Sequence, residues 1–126
     1  MSLLIGKAIY SILTGNTLVY SGVGTKIYPI FAPDETLVPF IVYERKNINT
    51  FYTKDGPSYD ECSVVINIVS ENYTECITIA NSVRNALEWI NGTYGGINVS
   101  QSLLTNASET YGIDGFITTL EFSITM

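Results

Sequence analysis

The segment from residue 59 to residue 70 alternates apolar and polar side chains with a period of two. Successive side chains of a β-strand point to opposite faces, so this alternation predicts a strand with one buried face. The two predicted faces carry Cys62, Val64, Ile66 and Ile68 on the buried side, and Glu61, Ser63, Val65 and Asn67 on the other. A chain that contains such a strand must form a sheet and cover its apolar side.

A first helix is predicted near the start of the chain. Ser2 is available as its N-cap, and Gly15 followed by Asn16 predicts its end. Its apolar residues recur at helical spacing: Leu4, Ile5, Ala8, Ile9, Ile12 and Leu13. Residues 16–26 are glycine-rich at their ends and are expected to form a loop, which leads to a short extended piece at Ile27 and Tyr28.

A second helix is predicted after the alternating strand. Asn72 and Glu75 have the spacing of a capping box, in which each side chain bonds the backbone N–H of the other residue. Gly92 predicts the end of the helix. The apolar stripe of this helix consists of Cys76, Ile79, Ala80, Val83, Leu87 and Ile90.

The remaining strands follow from β-branched and aromatic segments. Residues 40–45, 97–103 and 116–124 have this character, and a turn is expected between Asn106 and Gly115. Prolines at 29, 33 and 39 exclude a helix between the extended piece at Ile27 and Tyr28 and the strand at residues 40–45. The sequence therefore predicts a single α+β domain over residues 1–126, with an antiparallel sheet of about four strands and two main helices packed on one face.

Composition excludes several classes of function. The chain has 126 residues and a net charge of -6, which disfavours non-specific binding to nucleic acid or to anionic membranes. The apolar stretch at residues 3–13 is too short to span a bilayer and lacks a preceding basic cluster. We therefore expect a soluble chain without a secretion signal, in which Cys62 and Cys76 stay reduced and buried, with a disulfide possible only in an oxidising compartment.

Catalytic and metal-binding motifs are not evident. The chain has no histidine, so Ser-His-Asp and Cys-His arrangements are impossible, and two cysteines cannot complete a structural zinc site. The adjacent carboxylates Asp34-Glu35 and Asp60-Glu61 would point apart, and no glycine-rich phosphate loop occurs. The sequence predicts no enzymatic activity, no metal and no cofactor.

Charge is divided unevenly along the chain. Up to Lys54 there are five basic and three acidic residues, whereas from Asp55 onward nine acidic residues accompany Arg84 alone. The two parts therefore carry net charges of +2 and -8. Such a division can be scatter over the surface, or it can indicate copies of one chain that meet head to tail.

Residues 46–58 combine aromatic and charged side chains in a polar, turn-rich segment, with a reversal at residues 54–57. Together with Tyr59, such a mixture can stack nucleic-acid bases, contact a protein partner, or fold back on its own sheet. In an acidic domain the protein contact is favoured, and no direct binding of nucleic acid is expected. The predicted interface residues are Arg45, Lys46, Phe51, Tyr52, Lys54 and Asp55.

Several segments, in this order, resemble one protein family. The matching segments are Ile27-Tyr28-Pro29, Ala32-Pro33, residues 39–43 (PFIVY), residues 53–56 (TKDG), the strand at residues 64–70, Tyr73-x-Glu75, and residues 79–88 (IAxxVRxALE). Together they are similar to the small tail-completion, or head-tail joining, proteins of long-tailed phages and prophages. The absence of basic residues after Arg84 and the Asn- and Thr-rich C-terminal half depart from the family, so contacts of that half are not transferred.

The resemblance implies an α+β fold like that of phage tail terminators and assembly as a hexameric ring. The ring forms either in free solution or on the tail tube alone, and the resemblance leaves both open. Such a ring caps the tail tube and joins it to the head, so the expected partners are further copies, the tail tube protein and a head-side connector protein. The expected locations are the bacterial cytoplasm during assembly and the virion tail. The alternative left open by the residues is a small carbohydrate- or peptide-binding module.

Overall fold

A computed structural model describes residues 2–33, 36–113 and 115–126. The helices, which follow a 3-10 turn at Ser2–Leu4, are α1 (Ile5–Gly15), α2 (Thr17–Val23) and α3 (Tyr73–Leu87). The strands are β1 (Ile27–Pro29), β2 (Phe40–Thr53), β3 (Gly56–Ser70), β4 (Gly92–Tyr94), β5 (Ile97–Val99), β6 (Gln101–Gly112) and β7 (Gly115–Thr125).

The main sheet has five strands in the order β1-β2-β3-β7-β6, and β4 pairs with β5 in a separate two-stranded sheet. The pairs β2–β3, β3–β7 and β7–β6 are antiparallel, whereas β1 runs parallel to β2. The predicted α+β class fits this architecture, but the expected sheet of about four antiparallel strands is wrong. The fifth strand, β1, has three residues and ends in proline, so its local sequence carries little strand signal.

The predicted alternation of β3 is present. Cys62, Val64, Ile66 and Ile68 are at most 1% exposed, and they define the helix side of the sheet. Every buried residue of the three helices belongs to the same apolar core as these four side chains. The helices therefore pack on one side, as expected. The other side of the sheet is called the open side below.

The open side of the sheet is lined partly by hydrogen-bonded polar pairs. The Thr119 hydroxyl donates to Asn67 Oδ1 at 2.7 Å, and the Ser123 hydroxyl donates to Glu61 Oε1 at 3.2 Å. Val65, predicted on this side, is only 5% exposed, because β3 lies between β2 and β7 and neighbouring side chains cover it. The polar residues Glu61, Ser63 and Asn67 on the same side of β3 are half-buried.

The N-terminal helical region differs from the prediction in two respects. The N-cap of α1 is Leu4 rather than Ser2, because a 3-10 turn precedes the helix. Residues 17–23, expected to be a loop, form α2, and Asn16 caps it by accepting hydrogen bonds from Leu18 N and Val19 N at 3.0 and 3.1 Å. The residue that ends the first helix therefore also begins the next one.

The predicted capping box of α3 is half present. Asn72 Oδ1 accepts from Glu75 N at 3.2 Å, as expected. The Glu75 carboxylate instead accepts from the Ser70 hydroxyl at 2.7 Å, and Asn72 N donates to that hydroxyl. The helix ends at Leu87, before the predicted stop at Gly92.

The strand that precedes the C-terminal turn is longer than expected. β6 continues to Gly112, so most of the turn predicted between Asn106 and Gly115 is strand. The side chains of β6 are mostly exposed and many are polar, so the sequence pattern does not reveal this strand. β6 is an edge strand, and its pairing is formed by the backbone.

Candidate assembly surface on the projecting hairpin

The β2–β3 hairpin extends beyond the rest of the sheet. Pairing of β3 with β7 ends at Glu61 and Thr125, and β1 pairs with β2 only as far as Tyr43. Beyond that pairing, two backbone hydrogen bonds join Asp60 of β3 to Met126, which follows β7. Residues 50–59 therefore form a two-stranded projection, called the arm, with no third strand among the described residues.

The prediction of a turn-rich loop at residues 46–58 is wrong, because ladder pairing continues to Thr53 and Gly56. Only Lys54 and Asp55 form the turn, and Asp55 N donates to the Thr53 hydroxyl at 3.3 Å. Local polarity favoured a loop, whereas cross-strand pairing overrides that preference. The segment does project from the sheet, as expected.

Aromatic side chains are concentrated on the arm. The rings of Phe51 and Tyr59, which are opposite each other in the ladder, stack with their centroids 4.5 Å apart. Both residues remain more than 40% exposed, and Tyr52 is 72% exposed. Thr50 donates to Asp60 Oδ1 at 2.6 Å at the base of the arm. The arm thus presents three aromatic side chains to solvent, and aromatic residues are enriched at the centres of protein interfaces.

The six predicted interface residues fall into two groups. Phe51, Tyr52, Lys54 and Asp55 lie on the arm, where their side chains are exposed. Arg45 and Lys46 lie within the main sheet on β2, and Lys46 is about 25 Å from Lys54 at the usual rise of a strand. The structure therefore does not bring the six residues into one patch.

The two basic residues within the main sheet are held by different contacts. Arg45 Nη1 donates to the carbonyl of Leu3 at 3.0 Å. Lys46 lies at a shift in register between β2 and β3 and forms an ion pair with Glu44 at 3.1 Å. Since this ion pair is exposed, it contributes little to stability and leaves the lysine able to meet another charge.

A second exposed apolar group lies next to β1 and was not predicted. Ile30, Phe31 and Leu37 are all at least 70% exposed. Ile30 has a positive φ of 68°, and its N–H donates to the carbonyl of Tyr43 at 2.8 Å. The surrounding prolines indicated an irregular segment, but nothing in the residue pattern showed that these side chains stay outside the core.

The cysteines lie far apart in the core. Cys76 Sγ is 3.3 Å from the carbonyl of Ile68. Cys62 lies six residues before Ile68 on β3, which is about 20 Å from it at the usual rise of a strand. The disulfide left open by the sequence is therefore excluded by geometry. Burial raises the pKa of the Cys62 thiol to about 11, although the nearby Arg45 charge acts in the opposite direction.

The acidic residues that could suggest chemistry are dispersed. Asp60 and Glu61 accept hydrogen bonds from Thr50 and Ser123, which lie on opposite sides of the sheet, and Asp34-Glu35 falls outside the described residues. Within the described ranges, no three His, Cys, Asp or Glu residues are grouped so that they could hold a metal ion. No helix in the same ranges has the length and apolar character required to cross a membrane.

These features define an α+β domain with helices on one side of a mixed sheet and a projecting hairpin. No family model and no curated protein sequence matches the chain. In structure it is similar to a chain of the virion of a native gene transfer agent particle, with a TM-score of 0.84. The match covers 99% of this chain and 98% of that chain at 16% sequence identity, which shows a shared fold.

Proposed function

We propose that this protein is a structural subunit of a phage-like virion tail, and that its copies form a ring that caps the tail tube and joins it to the head. The observation that carries the proposal is the similarity of fold to a virion chain, which extends over nearly the full length of both chains. The proposed partners are further copies, the tail tube protein and a head-side connector protein. Assembly would take place in the bacterial cytoplasm, and the role is structural rather than enzymatic.

The arm supports this proposal independently of the comparison. Phe51, Tyr52 and Tyr59 are exposed on a two-stranded projection, where a solitary domain gains little from aromatic rings. Aromatic residues in such positions are enriched at the centres of protein interfaces. We assign the arm to a contact with a neighbouring subunit or with the tail tube.

The test is to mix the purified protein with isolated tail tubes and to examine the tube ends by electron microscopy. We expect a ring on one end of the tube. The double variant Phe51→Ser and Tyr52→Ser should keep its far-UV circular dichroism and lose most of this capping. Bare tube ends at saturating concentrations of the unaltered protein would contradict the proposed function.

A matched control removes exposed apolar surface elsewhere. Leu18 and Tyr20 lie on α2 and are 65% and 56% exposed, so the double variant Leu18→Ser and Tyr20→Ser makes a comparable change away from the arm. This control should still cap tubes. Equal loss of capping in both double variants would remove the arm from the proposed interface.

A further inference from the structure

The sheet has two unpaired edges that lie on opposite sides of the molecule. On one side, β2 has no strand partner beyond Tyr43 among the described residues, so its edge is free from Glu44 to Thr53. On the other side, β6 pairs with β7 and has no second strand partner among the described residues. The Trp89 N–H donates to the carbonyl of Ser102 on the β6 edge at 2.7 Å, and the described part of the chain makes no other backbone hydrogen bond to that edge. A free edge is a template for another strand.

These two edges differ in charge. Glu44, Arg45 and Lys46 give the free segment of β2 a net charge of +1, while Lys54 and Asp55 cancel each other at the end of the arm. The β6–β7 hairpin carries Glu109 and Glu121, and the sequence contains no Lys or Arg after Arg84. Glu109 gives the edge strand β6 a net charge of -1, whereas Glu121 lies on the interior strand β7, so the two free edges are opposite in charge.

The directions of the strands are compatible with pairing between copies. Each step from β2 to β3, β7 and β6 reverses direction, so β6 runs opposite to β2. When copies stand side by side in the same orientation, the β6 edge of one is antiparallel to the β2 edge of the next. Arg45 and Glu109 are both on the helix side, because they pair with the buried residues Val64 and Thr118.

We propose that the free β2 edge of one copy pairs with the β6 edge of a second copy, so that the sheet continues from subunit to subunit. The second copy is the occupant because the two complementary edges belong to the same chain. The contact is heterologous, which builds a ring when the rotation closes. The inference rests on the proposed function only for the expectation that several copies assemble.

Charge reversal at each edge tests the pairing in the purified protein without tail tubes. One variant carries Lys46→Glu on the free β2 segment, and the other carries Glu109→Lys on β6. Each variant alone brings like charges together at the contact, and we expect its self-association to weaken by roughly tenfold or more. An equimolar mixture should recover assembly with alternating copies, because each altered edge then meets its complement.

Sedimentation velocity over a range of protein concentrations at low ionic strength gives the readout. Thermal melts verify that each variant is folded, since Glu109 is next to Tyr73 and raises its pKa. Lys7→Glu changes an exposed lysine on α1 and should leave assembly unaltered. Hydrogen exchange in the assembled form should slow at β6 amides and at residues 44–53.

Three results would overturn the edge pairing. The first is unaltered self-association of the Glu109→Lys variant, which indicates a contact that does not use β6. The second is a mixture that fails to assemble. The third is a wild-type protein that stays monomeric at millimolar concentration. If the wild-type protein stays monomeric but still caps tube ends, the edge pairing fails and the proposed function stands. Failure of the edge pairing is thereby distinguished from failure of the proposed function.

Discussion

The rings of Phe51 and Tyr59 stack across the arm with their centroids 4.5 Å apart and their planes inclined by 16°. Such a pair contributes about 0.5–1.5 kcal/mol beyond its burial of area. We therefore expect a double-mutant cycle of Phe51→Ala and Tyr59→Ala to give a coupling free energy in this range in denaturant melts. Tyr52→Ala, which removes a neighbouring ring outside the stacked pair, should leave the melting midpoint nearly unchanged. A coupling near zero would show that the arm is not held by this stack.

The packing of α3 against the sheet depends on Leu87, which is completely buried in the core. Leu87→Ala should lower the free energy of unfolding by roughly 2–5 kcal/mol, since the substitution leaves a cavity. Ile77→Ala on the same helix is the matched control, because Ile77 is 38% exposed and should cost less. Equal losses in urea melts of the two variants would contradict the assigned face of α3.

Two asparagines cap helices, and one of them was expected from the sequence. Asn72→Ala should lower the free energy of unfolding by about 1 kcal/mol, because Glu75 N loses its acceptor. Asn16→Ala removes an acceptor from both Leu18 N and Val19 N and should cost a comparable amount, about 0.5–2 kcal/mol. Thermal melts measure both effects. Gly substitutions at the same positions should cost less, and a larger loss with Gly would argue against capping.

Close packing between α2 and α3 depends on Gly22. A Cβ at this position would lie 2.7 Å from Ile79 Cγ1, so Gly22→Ala should destabilise the protein by about 1–3 kcal/mol through overpacking. Gly15→Ala at the end of α1 meets no atom within 4 Å and should be neutral or slightly stabilising. If Gly22→Ala is as well tolerated as Gly15→Ala in thermal melts, the two helices do not approach so closely.

The Cys62 thiol makes stability depend on alkaline pH. Because burial raises its pKa to about 11 from 9.0, the folded state favours the neutral thiol. Its contribution is complete below about pH 9 and is lost as the pH rises toward about 11. Denaturant melts of Cys62→Ala should lose less stability across this window than those of the unaltered protein. Parallel curves for the two proteins would place the thiol in a solvated position.

Local residue patterns were sufficient for several elements. Residues that are close together in the sequence determine the alternation in β3, the apolar stripe of α3 and the Asn72 cap. The same reasoning identified the exposed residues Phe51, Tyr52, Lys54 and Asp55 as a projecting group, although it assigned them to a loop. It did not separate Arg45 and Lys46 from that group. It also did not identify Tyr59 as the stacking partner of Phe51.

The sequence by itself determined which side chains of β3 and α3 face the shared core, because the period of apolar residues is a property of a short segment. Only the tertiary structure decided that β1 lies parallel to β2, that the hairpin continues as an arm, and that β2 and β6 have edges without a strand partner in the described ranges. Strand pairing joins residues that are distant along the chain, as in the contact of Ile27 with Ile41 or Glu61 with Thr125. Its hydrogen bonds are made by the backbone, which is the same at nearly every position, so side-chain patterns alone do not reveal which edges remain unpaired.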